Sequence, residues 1–220
     1  MKAVILGGGG GGKVYLDNLR SCPEAGTAEV IGFIDDNPEL QGCEVLGVPV
    51  LGTYTQLPEL IKRHNIEGVL VAYSDRLMRL REERFYQCRQ LGLKPISTTH
   101  PSAVISPSVS IGEGVLIGKG VLIDLEVKIG DNCAIFRGST IGEFSVLEEN
   151  VFLTGGVNLA AHVTIRKNTM LGTGANVIPR CHVGRDVIVG AGAVVINDVP
   201  DGVTVAGVPA RIIKTREAEA

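Results

Sequence analysis

Residues 105–195 read ISPSVS IGEGVL IGKGVL IDLEVK IGDNCA IFRGST IGEFSV LEENVF LTGGVN LAAHVT IRKNTM LGTGAN VIPRCH VGRDVI VGAGAV V, with an aliphatic residue at every sixth position. The aliphatic positions are Ile105, Ile111, Ile117, Ile123, Ile129, Ile135, Ile141, Leu147, Leu153, Leu159, Ile165, Leu171, Val177, Val183, Val189 and Val195. Four positions after each stands a small or slender residue, such as Val115, Cys133 or Ser139. A unit of this kind is one short strand and one turn, with one large and one small side chain pointing inward.

Three such units close a triangular coil, and successive coils stack as parallel strands about 4.8 Å apart. Because buried aliphatic side chains contribute about 1.5–3 kcal/mol each before chain entropy is subtracted, the stack supports itself. A β-sandwich of alternating strands is the competing interpretation, but it would not keep a period of six in register over about 90 residues. The pattern therefore predicts a parallel β-helix of five coils.

Composition excludes several classes of function. The 220 residues carry a net charge of −3, which leaves no basic footprint for nucleic acid and no polybasic membrane anchor. The five cysteines are odd in number and form no CxxC pair, which argues against a disulfide framework or a zinc site. No signal peptide and no apolar stretch of transmembrane length is visible. We expect a cytoplasmic protein without a metal, a nucleic-acid partner or membrane insertion.

Residues 1–97 follow a different pattern, in which strands alternate with helices. MKAVILGGGGGGKVYLDNLR predicts a strand, a glycine loop and a helix, and the segments EVIGFIDDN, PELIKRHN, IEGVLVAYS and RLREERFYQCRQLGL continue as strand, helix, strand and helix. The alternation predicts a small Rossmann-like α/β domain at residues 1–97, too short for a complete six-stranded dinucleotide fold. Residues 98–220 then form the β-helix domain with a C-terminal tail.

The glycine loop and two aspartates are the candidate nucleotide site of the first domain. The run from Gly7 to Gly12 frees backbone N–H groups at a helix N-terminus, which suits a phosphate. Asp35 and Asp36 end the second strand, where a carboxylate can accept bonds from a ribose or a base, although both could instead cap a turn. Because six consecutive glycines satisfy almost any glycine motif, the loop alone is a weak signal. A mononucleotide or nucleotide-sugar fits this domain better than NAD.

The whole chain resembles the bacterial nucleotide-amino-sugar acetyltransferases and the related sialic acid O-acetyltransferases. The resemblance is carried by GGGGGGK, FIDDN, VLGVPVLG, THPSAVISPSVSIGEGVLIG and DVPDGVTVAGVPARII, and covers nearly the full length. It implies a left-handed β-helix, a homotrimer, and acetyl-CoA lying in the groove between neighbouring prisms. It also implies that the N-terminal domain holds the nucleotide, and that the pathway builds a surface glycan or polysaccharide.

The resemblance assigns roles to particular residues. Gly8, Gly9, Gly11, Asp35 and Asp36 match nucleotide contacts. The acetyl-CoA contacts are matched by Ala161 near the thioester, by Thr173, Gly174, Ala191 and Gly192 along pantetheine, and by Gly207, Pro209 and Ala210 near the adenine end.

The chain departs from the family at the catalytic position. The family has a histidine followed by an acidic residue in mid-helix, where this sequence has Glu143 and Phe144, and a second family histidine corresponds to Phe152. A hydroxyl acceptor has a pKa of about 15.7, like water, and needs a base. An amine with a pKa of about 8 is roughly one tenth neutral at pH 7 and can attack a positioned thioester with little help. Loss of the dyad therefore favours N-acylation.

Two residues could replace the missing base. Glu143 is the substitute by position, although acidic residues are also common in the hexad turns. His162 lies beside Ala161, one coil on, and could equally be a plain surface histidine.

The leading hypothesis is an acetyl-CoA-dependent N-acetyltransferase acting on a UDP-, dTDP- or GDP-linked amino-deoxy sugar. O-acetylation of a sugar such as sialic acid and a catalytically silent nucleotide-sugar-binding homologue remain as alternatives. A metal enzyme of the γ-carbonic-anhydrase type would need three convergent histidines, whereas the helix holds only His162 and His182, whose spacing is not one coil.

Overall fold

The computed structural model describes residues 1–22, 28–74 and 77–215. The chain divides into two compact units, Met1–Thr99 and His100–Ala220. Residues 216–220 of the predicted C-terminal tail lie outside the described residues. Among the described residues, no helix combines the length and the apolar character needed to cross a membrane.

The first unit alternates strands and helices. Its elements are β1 Lys2–Leu6, α1 Gly10–Arg20, β2 Glu29–Ile34, the 3₁₀ turn Pro38–Leu40, β3 Glu44–Val45, β4 Val48–Gly52, the 3₁₀ turn Tyr54–Gln56, α2 Leu57–His64, β5 Gly68–Val71, α3 Met78–Gln90, β6 Lys94–Pro95 and β7 Thr98–Thr99. The sheet order is β3-β4-β2-β1-β5-β6. It has six strands, but β3 runs antiparallel to β4, and β3 and β6 have only two residues each.

The parallel strands follow the order of a doubly wound sheet, with β2 and β5 on opposite sides of β1. The chain therefore reverses its winding direction at β1, and the crevice at the carboxyl ends of β1 and β5 is the topological switch point where such sheets bind ligands. Val4, Leu6, Ile34 and Val71 are buried in the core of this unit together with Phe85 of α3. This near-continuous apolar character is what a parallel sheet covered on both faces requires.

The second unit is a parallel β-helix of two-residue strands, one in each hexad. They are β8 Val104–Ile105, β9 Ser110–Ile111, β10 Leu116–Ile117, β11 Leu122–Ile123, β12 Lys128–Ile129, β13 Ala134–Ile135, β14 Thr140–Ile141, β15 Val146–Leu147, β16 Phe152–Leu153, β17 Asn158–Leu159, β18 Thr164–Ile165, β19 Met170–Leu171, β20 Asn176–Val177, β21 His182–Val183, β22 Ile188–Val189 and β23 Val194–Val195.

Each strand pairs in parallel with the strand three hexads away, as when Ile117 pairs with Ile135 and Ile135 with Leu153. This spacing gives three faces. The last coil contains fewer residues than the others. In it, Val189 pairs with Val205 of β24, Val203–Ala206. The antiparallel strand β25, Arg211–Thr215, then ends the described chain. The predicted coil length is confirmed up to this point.

Inside the prism the hexad aliphatics form one continuous core. Fourteen of the sixteen are at most 4% exposed, while Ile105 is half-buried and Ile111 is exposed in the first coil. Three of the small inward positions are polar, and each hydroxyl is satisfied. Ser145, for example, donates to the carbonyl of Ala160 at 3.1 Å and accepts from the N–H of Val163 at 3.1 Å. The Ser145 hydroxyl is therefore fully bonded inside the core.

The turns form three edges, and each turn from Gly114 to Gly192 has one residue with positive φ. The first edge has Glu126, Phe144, His162 and Arg180 at these positions, the second has Gly114, Asn132, Asn150, Asn168 and Asp186, and the third has Gly120, Gly138, Gly156, Gly174 and Gly192. Only glycine adopts this conformation freely, although asparagine and aspartate tolerate it. At its positive-φ positions the third edge therefore has no side chains. At the same positions the first edge carries large side chains in a strained backbone conformation.

Candidate functional site

The glycine loop lies against the turn that follows β5. The N–H of Gly7 donates to the carbonyl of Ile34 at 2.8 Å, which turns the chain sharply after β1. A Cβ on Gly11 would collide with the carbonyl oxygen of Ala72, and one on Gly12 would collide with that of Gly7. These glycines let helix α1 begin directly against the sheet at the switch point.

The exposed part of the loop is open to a ligand. A Cβ built on Gly9 or Gly10 meets no atom within 4 Å. Gly9 is the N-cap of α1 and makes no side-chain cap, so the first-turn N–H groups lack partners inside the helix. Aligned amides with the positive end of the helix dipole are suited to an anion such as a phosphate.

Asp35 and Asp36 are both engaged with backbone N–H groups. Asp35 accepts from Gly8 at 2.6 Å through Oδ2 and from Asn37 at 2.8 Å through Oδ1. Asp36 accepts from Tyr54 at 2.8 Å through Oδ1. Asp35 therefore fixes the glycine loop from below. Asp36, which is exposed, retains Oδ2 as an acceptor at the same end of the sheet.

A cluster that the sequence analysis did not identify adjoins these aspartates. Tyr73 follows β5 and is half-buried, and the charge of Arg84 of α3 acts on its phenol. The Arg84 guanidinium lies 3.6 Å above the ring centroid of Tyr54 and donates to Gln87 at 2.7 Å. Tyr54 donates to the same Gln87 oxygen at 2.8 Å. The guanidinium is thus held by stacking and by a hydrogen bond.

The electrostatics of this cluster keep the Tyr73 phenol protonated. Burial raises the pKa of Tyr73 to about 12, against the lowering influence of the Arg84 charge, and the negative charges of Asp36 and Asp35 raise it further. Tyr73 therefore keeps its proton throughout the physiological range. The sequence shows no regular spacing that would reveal this cluster. Its members lie far apart along the chain, in a loop and in two helical segments.

The first edge of the β-helix brings Glu143, Phe144, Ala161 and His162 together. The His162 N–H donates to the Glu143 carbonyl at 2.9 Å. The His162 ring stacks on the Phe144 ring, with centroids 4.9 Å apart and planes 19° apart. Glu143 and Ala161 are half-buried, whereas Phe144 and His162 are exposed. An aromatic stack thus adjoins Glu143, at the turn where the resemblance led us to expect a histidine and an acidic partner.

The third edge holds the other predicted acetyl-CoA contacts. Thr173, Gly174, Ala191 and Gly192 occupy successive turns of this edge, and Gly207 and Pro209 follow β24 above them. All are exposed except Gly174, which is half-buried. A Cβ built on Gly174 or Gly192 meets no atom within 4 Å, so an extended chain can approach the backbone there without obstruction.

One protomer does not bring the two groups together. Ala161 lies on the first edge, whereas Thr173 and Gly174 lie on the third. Neighbouring edges are six residues apart, which spans up to about 20 Å at a rise of about 3.3 Å per residue. The predicted acetyl-CoA residues therefore form two half-sites on separate edges of one prism.

Other features of the β-helix were not predicted. A cavity of about 330 Å³ at its C-terminal end is lined by residues 195–200, 205 and 210–212. At this end, Nδ1 of His182 lies 3.6 Å from Oδ1 of Asp198. Across the described ranges, no group of three or more His, Cys, Asp or Glu residues could hold a metal ion.

Two family models match the chain. The model of the PglD N-terminal domain matches residues 2–81, and the model of the GMPPB C-terminal domain matches residues 93–189. No curated protein matches the chain.

Several solved structures match nearly the whole chain. A mutant of perosamine N-acetyltransferase from Caulobacter crescentus, in complex with CoA and GDP-perosamine, is 39% identical, with 97% of each chain covered and a TM-score of 0.89. The acetyltransferase domain of PglB from Neisseria gonorrhoeae, in complex with acetyl coenzyme A, is 31% identical, covering 96% of this chain and 98% of that one at a TM-score of 0.85. WeeI from Acinetobacter baumannii is 27% identical, with 97% and 100% covered and a TM-score of 0.85.

Proposed function

Because the chain belongs to the left-handed β-helix family of hexapeptide-repeat nucleotide-amino-sugar acetyltransferases, we propose that it transfers an acetyl group from acetyl-CoA to the amino group of a nucleotide-linked amino-deoxy sugar. The observation that carries the proposal is the first edge, where Glu143 and a Phe144–His162 stack replace a histidine–carboxylate dyad. An amine acceptor depends less on a protein base than a hydroxyl acceptor does, so loss of the dyad affects N-acetylation less than O-acetylation.

The chemistry needs little from the protein besides position. The amine nitrogen forms a bond to the acetyl carbon, the carbon–sulfur bond breaks, and the thiol of CoA leaves. The nitrogen must lose one proton, and a carboxylate beside it suffices when the amine pKa is about 8. Holding both reactants together supplies a further share of the rate, which effective molarities put at up to about 7–11 kcal/mol.

We assign the proton acceptance to Glu143 and the contact with the acceptor sugar to His162. The half-buried carboxylate of Glu143 stands on the same edge as Ala161, whose backbone position is expected near the thioester. The Phe144 ring limits the orientations of the His162 imidazole, so a ring nitrogen can be presented in one direction. A Glu143→Gln and His162→Ala pair tests the assignment, since full turnover in both variants means that neither side chain acts.

The nucleotide is assigned to the switch-point crevice of the first unit, with its diphosphate at the Gly9 and Gly11 amides. Gly8 and Asp35 shape the loop from beneath, and Asp36 offers its free carboxylate oxygen to the nucleoside. Gly9→Ala tests the location because the new methyl group meets no protein atom. We expect an unchanged melting temperature and a KM for the nucleotide-sugar raised about tenfold, because the methyl group obstructs a phosphate close to the amides.

The two half-sites on the first and third edges are consistent with a homotrimer, in which the first edge of one copy faces the third edge of the next. A closed ring of three triangular prisms completes every groove by the same contact. Acetyl-CoA would then lie against Ala161 of one copy and against the equivalents of Gly174 and Gly192 in its neighbour. The five free cysteines suit a reducing cytoplasm, and we place the enzyme there in surface-glycan synthesis.

The direct test mixes the full chain with acetyl-CoA and a panel of UDP-, dTDP- and GDP-linked sugars, each as the amino sugar and its hydroxyl counterpart. We expect thiol release with an amino sugar and none with the matching hydroxyl sugar. Release with the hydroxyl sugar alone contradicts N-acetylation, and nucleotide-sugar binding without any thiol release contradicts the enzyme assignment.

A further inference from the structure

The third edge of the β-helix changes from basic to small side chains along its length. The middle positions of its successive turns are Lys119, Arg137, Gly155, Thr173 and Ala191. The later, small residues include those assigned to acetyl-CoA, and the two basic residues lie in the coils before them. In those coils the first edge carries the acidic residues Glu126 and Glu143. The two edges that meet in the proposed trimer therefore carry opposite charges in the same coils.

The Arg137 side chain extends along the third edge over the next turn. The N–H of Gly156 donates to the Arg137 carbonyl at 3.0 Å, which stacks the two turns. A Cβ built on Gly155 would lie 3.6 Å from Cγ and 3.8 Å from Cζ of Arg137, so the arginine follows the bare backbone of that turn. Arg137 is exposed, and across the described ranges its guanidinium has no hydrogen-bond or ion-pair partner. An unpaired cation therefore lies at the surface of the third edge.

The guanidinium lies at the height where the acceptor amine must meet the thioester. Coils repeat every 18 residues, as in the pairing of Ile117 with Ile135, and rise about 4.8 Å, so six residues correspond to about 1.6 Å of height. Gly155 follows Glu143 by twelve residues and precedes Ala161 by six. Its turn therefore lies between the heights of Glu143 and Ala161, which were assigned to the base and to the thioester.

The Glu143 carboxylate also has no partner within one protomer. It is half-buried, and in the part of the chain that the structure describes it makes no side-chain hydrogen bond or ion pair. In a trimer with parallel prism axes, rotation about the three-fold axis leaves every height unchanged. Glu143 of one copy and Arg137 of the next then face each other across one groove. Arginine and carboxylate form charge-assisted hydrogen bonds that fix the plane of the carboxylate.

We propose that Arg137 of one copy is a positioning residue for Glu143 of the neighbouring copy. The guanidinium donates to one carboxylate oxygen and leaves the other to accept the proton of the acceptor amine. A fixed cation beside the acceptor also disfavours the ammonium form, which cannot attack the thioester. This role rests on the proposed N-acetylation and on the proposed trimer, and it brings a second subunit into the proton transfer.

Steady-state kinetics tests this role with three variants. Arg137→Gln removes the cation, and we expect kcat to fall about fivefold at pH 7 with both KM values unchanged, because the base is present but no longer held. The loss should shrink at pH 9, where an amine with a pKa of about 8 is mostly neutral without a base. Arg137→Lys restores a cationic donor and should return kcat to within about twofold of the parent. Arg185→Gln is the matched control, since Arg185 is an exposed arginine of the second edge that pairs with Asp201 at 3.5 Å, and its kcat should equal that of the parent.

Combining variants separates an action through Glu143 from an independent one. The double variant of Arg137→Gln and Glu143→Gln should turn over no more slowly than Glu143→Gln alone, because a residue that acts through another adds nothing once the other is gone. Co-expression of the two single variants places an intact Glu143 opposite an intact Arg137 in about a quarter of the grooves, so the rate should exceed the mean of the separate variants about twofold.

Several results overturn the role of Arg137. A parent-like kcat in Arg137→Gln, additive losses in the double variant, or a lowered melting temperature with a loss that persists at pH 9 each contradicts an action through Glu143. A co-expressed rate equal to the mean of the separate variants contradicts an action across the groove. Thiol release by the parent alongside any of these results leaves N-acetylation in place, whereas no release by the parent removes both assignments.

Discussion

At the residue scale, the proposed general base is the side chain of Glu143. We expect Glu143→Gln to lower kcat for an amino sugar about tenfold at pH 7, because only about one tenth of an amine with a pKa of about 8 is neutral there without a base. The loss should shrink at pH 9, because an acceptor amine with a pKa of about 8 is then mostly neutral without help. Thiol release measured from pH 6.5 to 9.5 tests this.

A matched control is Glu149→Gln, which removes a carboxylate from a different edge. Glu149 pairs with Lys167 at 3.4 Å on the exposed second edge, so its loss should change stability by no more than about 1 kcal/mol and leave kcat unchanged. Equal rates for Glu143→Gln and the parent at every pH would contradict the role of Glu143.

Cys88 gives a second prediction at this scale. Burial raises the pKa of its thiol from 9.0 to about 12, with a smaller opposing influence of Arg84. The folded state therefore holds this proton between pH 9 and 12 while the unfolded state releases it, so stability falls as pH rises, by up to about 1.4 kcal/mol per pH unit. Denaturant unfolding at pH 8 and 10 should show this loss for the parent and a smaller one for Cys88→Ala.

Iodoacetamide labelling at pH 8 offers an independent measurement. Cys43 is exposed and Cys88 is fully buried, so alkylation followed by mass spectrometry should find Cys43 modified and Cys88 protected until denaturant is added. Equal labelling of the two thiols in the folded protein would be inconsistent with the packing around α3.

Single residues were also the hardest to predict from sequence. The roles of Asp35 and Asp36 as acceptors of backbone N–H groups were foreseen only as an alternative, because strand-end position does not reveal which amide lies within reach. The Phe144–His162 stack was missed because Phe144 was considered only as a lost carboxylate, although the two residues are one coil apart.

At the scale of elements, the three edges of the prism differ in what their turns expose. Asparagine occupies the positive-φ position at Asn132, Asn150 and Asn168 of the second edge, so the fold accepts it. We expect Gly174→Asn on the third edge to raise KM for acetyl-CoA at least about tenfold, because its side chain fills the open approach to the backbone, with little backbone strain. Kinetics at saturating nucleotide-sugar measures this.

Gly120→Asn is the matched control for that variant. Gly120 has the same turn conformation, also with open space at Cβ, three coils earlier on the same edge. Its KM for acetyl-CoA should equal that of the parent, and its melting temperature should match that of Gly174→Asn. Similar KM values for acetyl-CoA in the parent, Gly174→Asn and Gly120→Asn would place acetyl-CoA away from the third edge.

Elements with a strict period were predictable, and those without one were not. The hexads gave the strand positions and the coil length, since one inward aliphatic per six residues leaves a single register. The β3–β4 hairpin was not predicted because its strands are short and the segment was considered only for its resemblance. The shortened last coil was also missed, as it follows the final hexad.

At the scale of the whole molecule, the proposed site requires two copies of the chain for each reaction. The structure places Ala161 and Gly174 on different edges, which lie up to about 20 Å apart in one chain. In the proposed site, a single protomer therefore offers the contacts to the thioester and those to pantetheine on separate edges. Activity should depend on assembly, which dilution below the dissociation constant of the oligomer would remove.

Subunit complementation shows whether neighbouring copies share one site. Glu143→Gln lacks a working first edge and Gly174→Asn lacks a working third edge, so each is impaired alone when acetyl-CoA is kept below the KM of the parent. Co-expressed in equal amounts, they should form mixed oligomers in which about a quarter of the grooves combine an intact first edge with an intact third edge, giving about a quarter of the parent rate. A mixed rate no higher than the mean of the two separate variants would contradict a site shared between neighbouring copies.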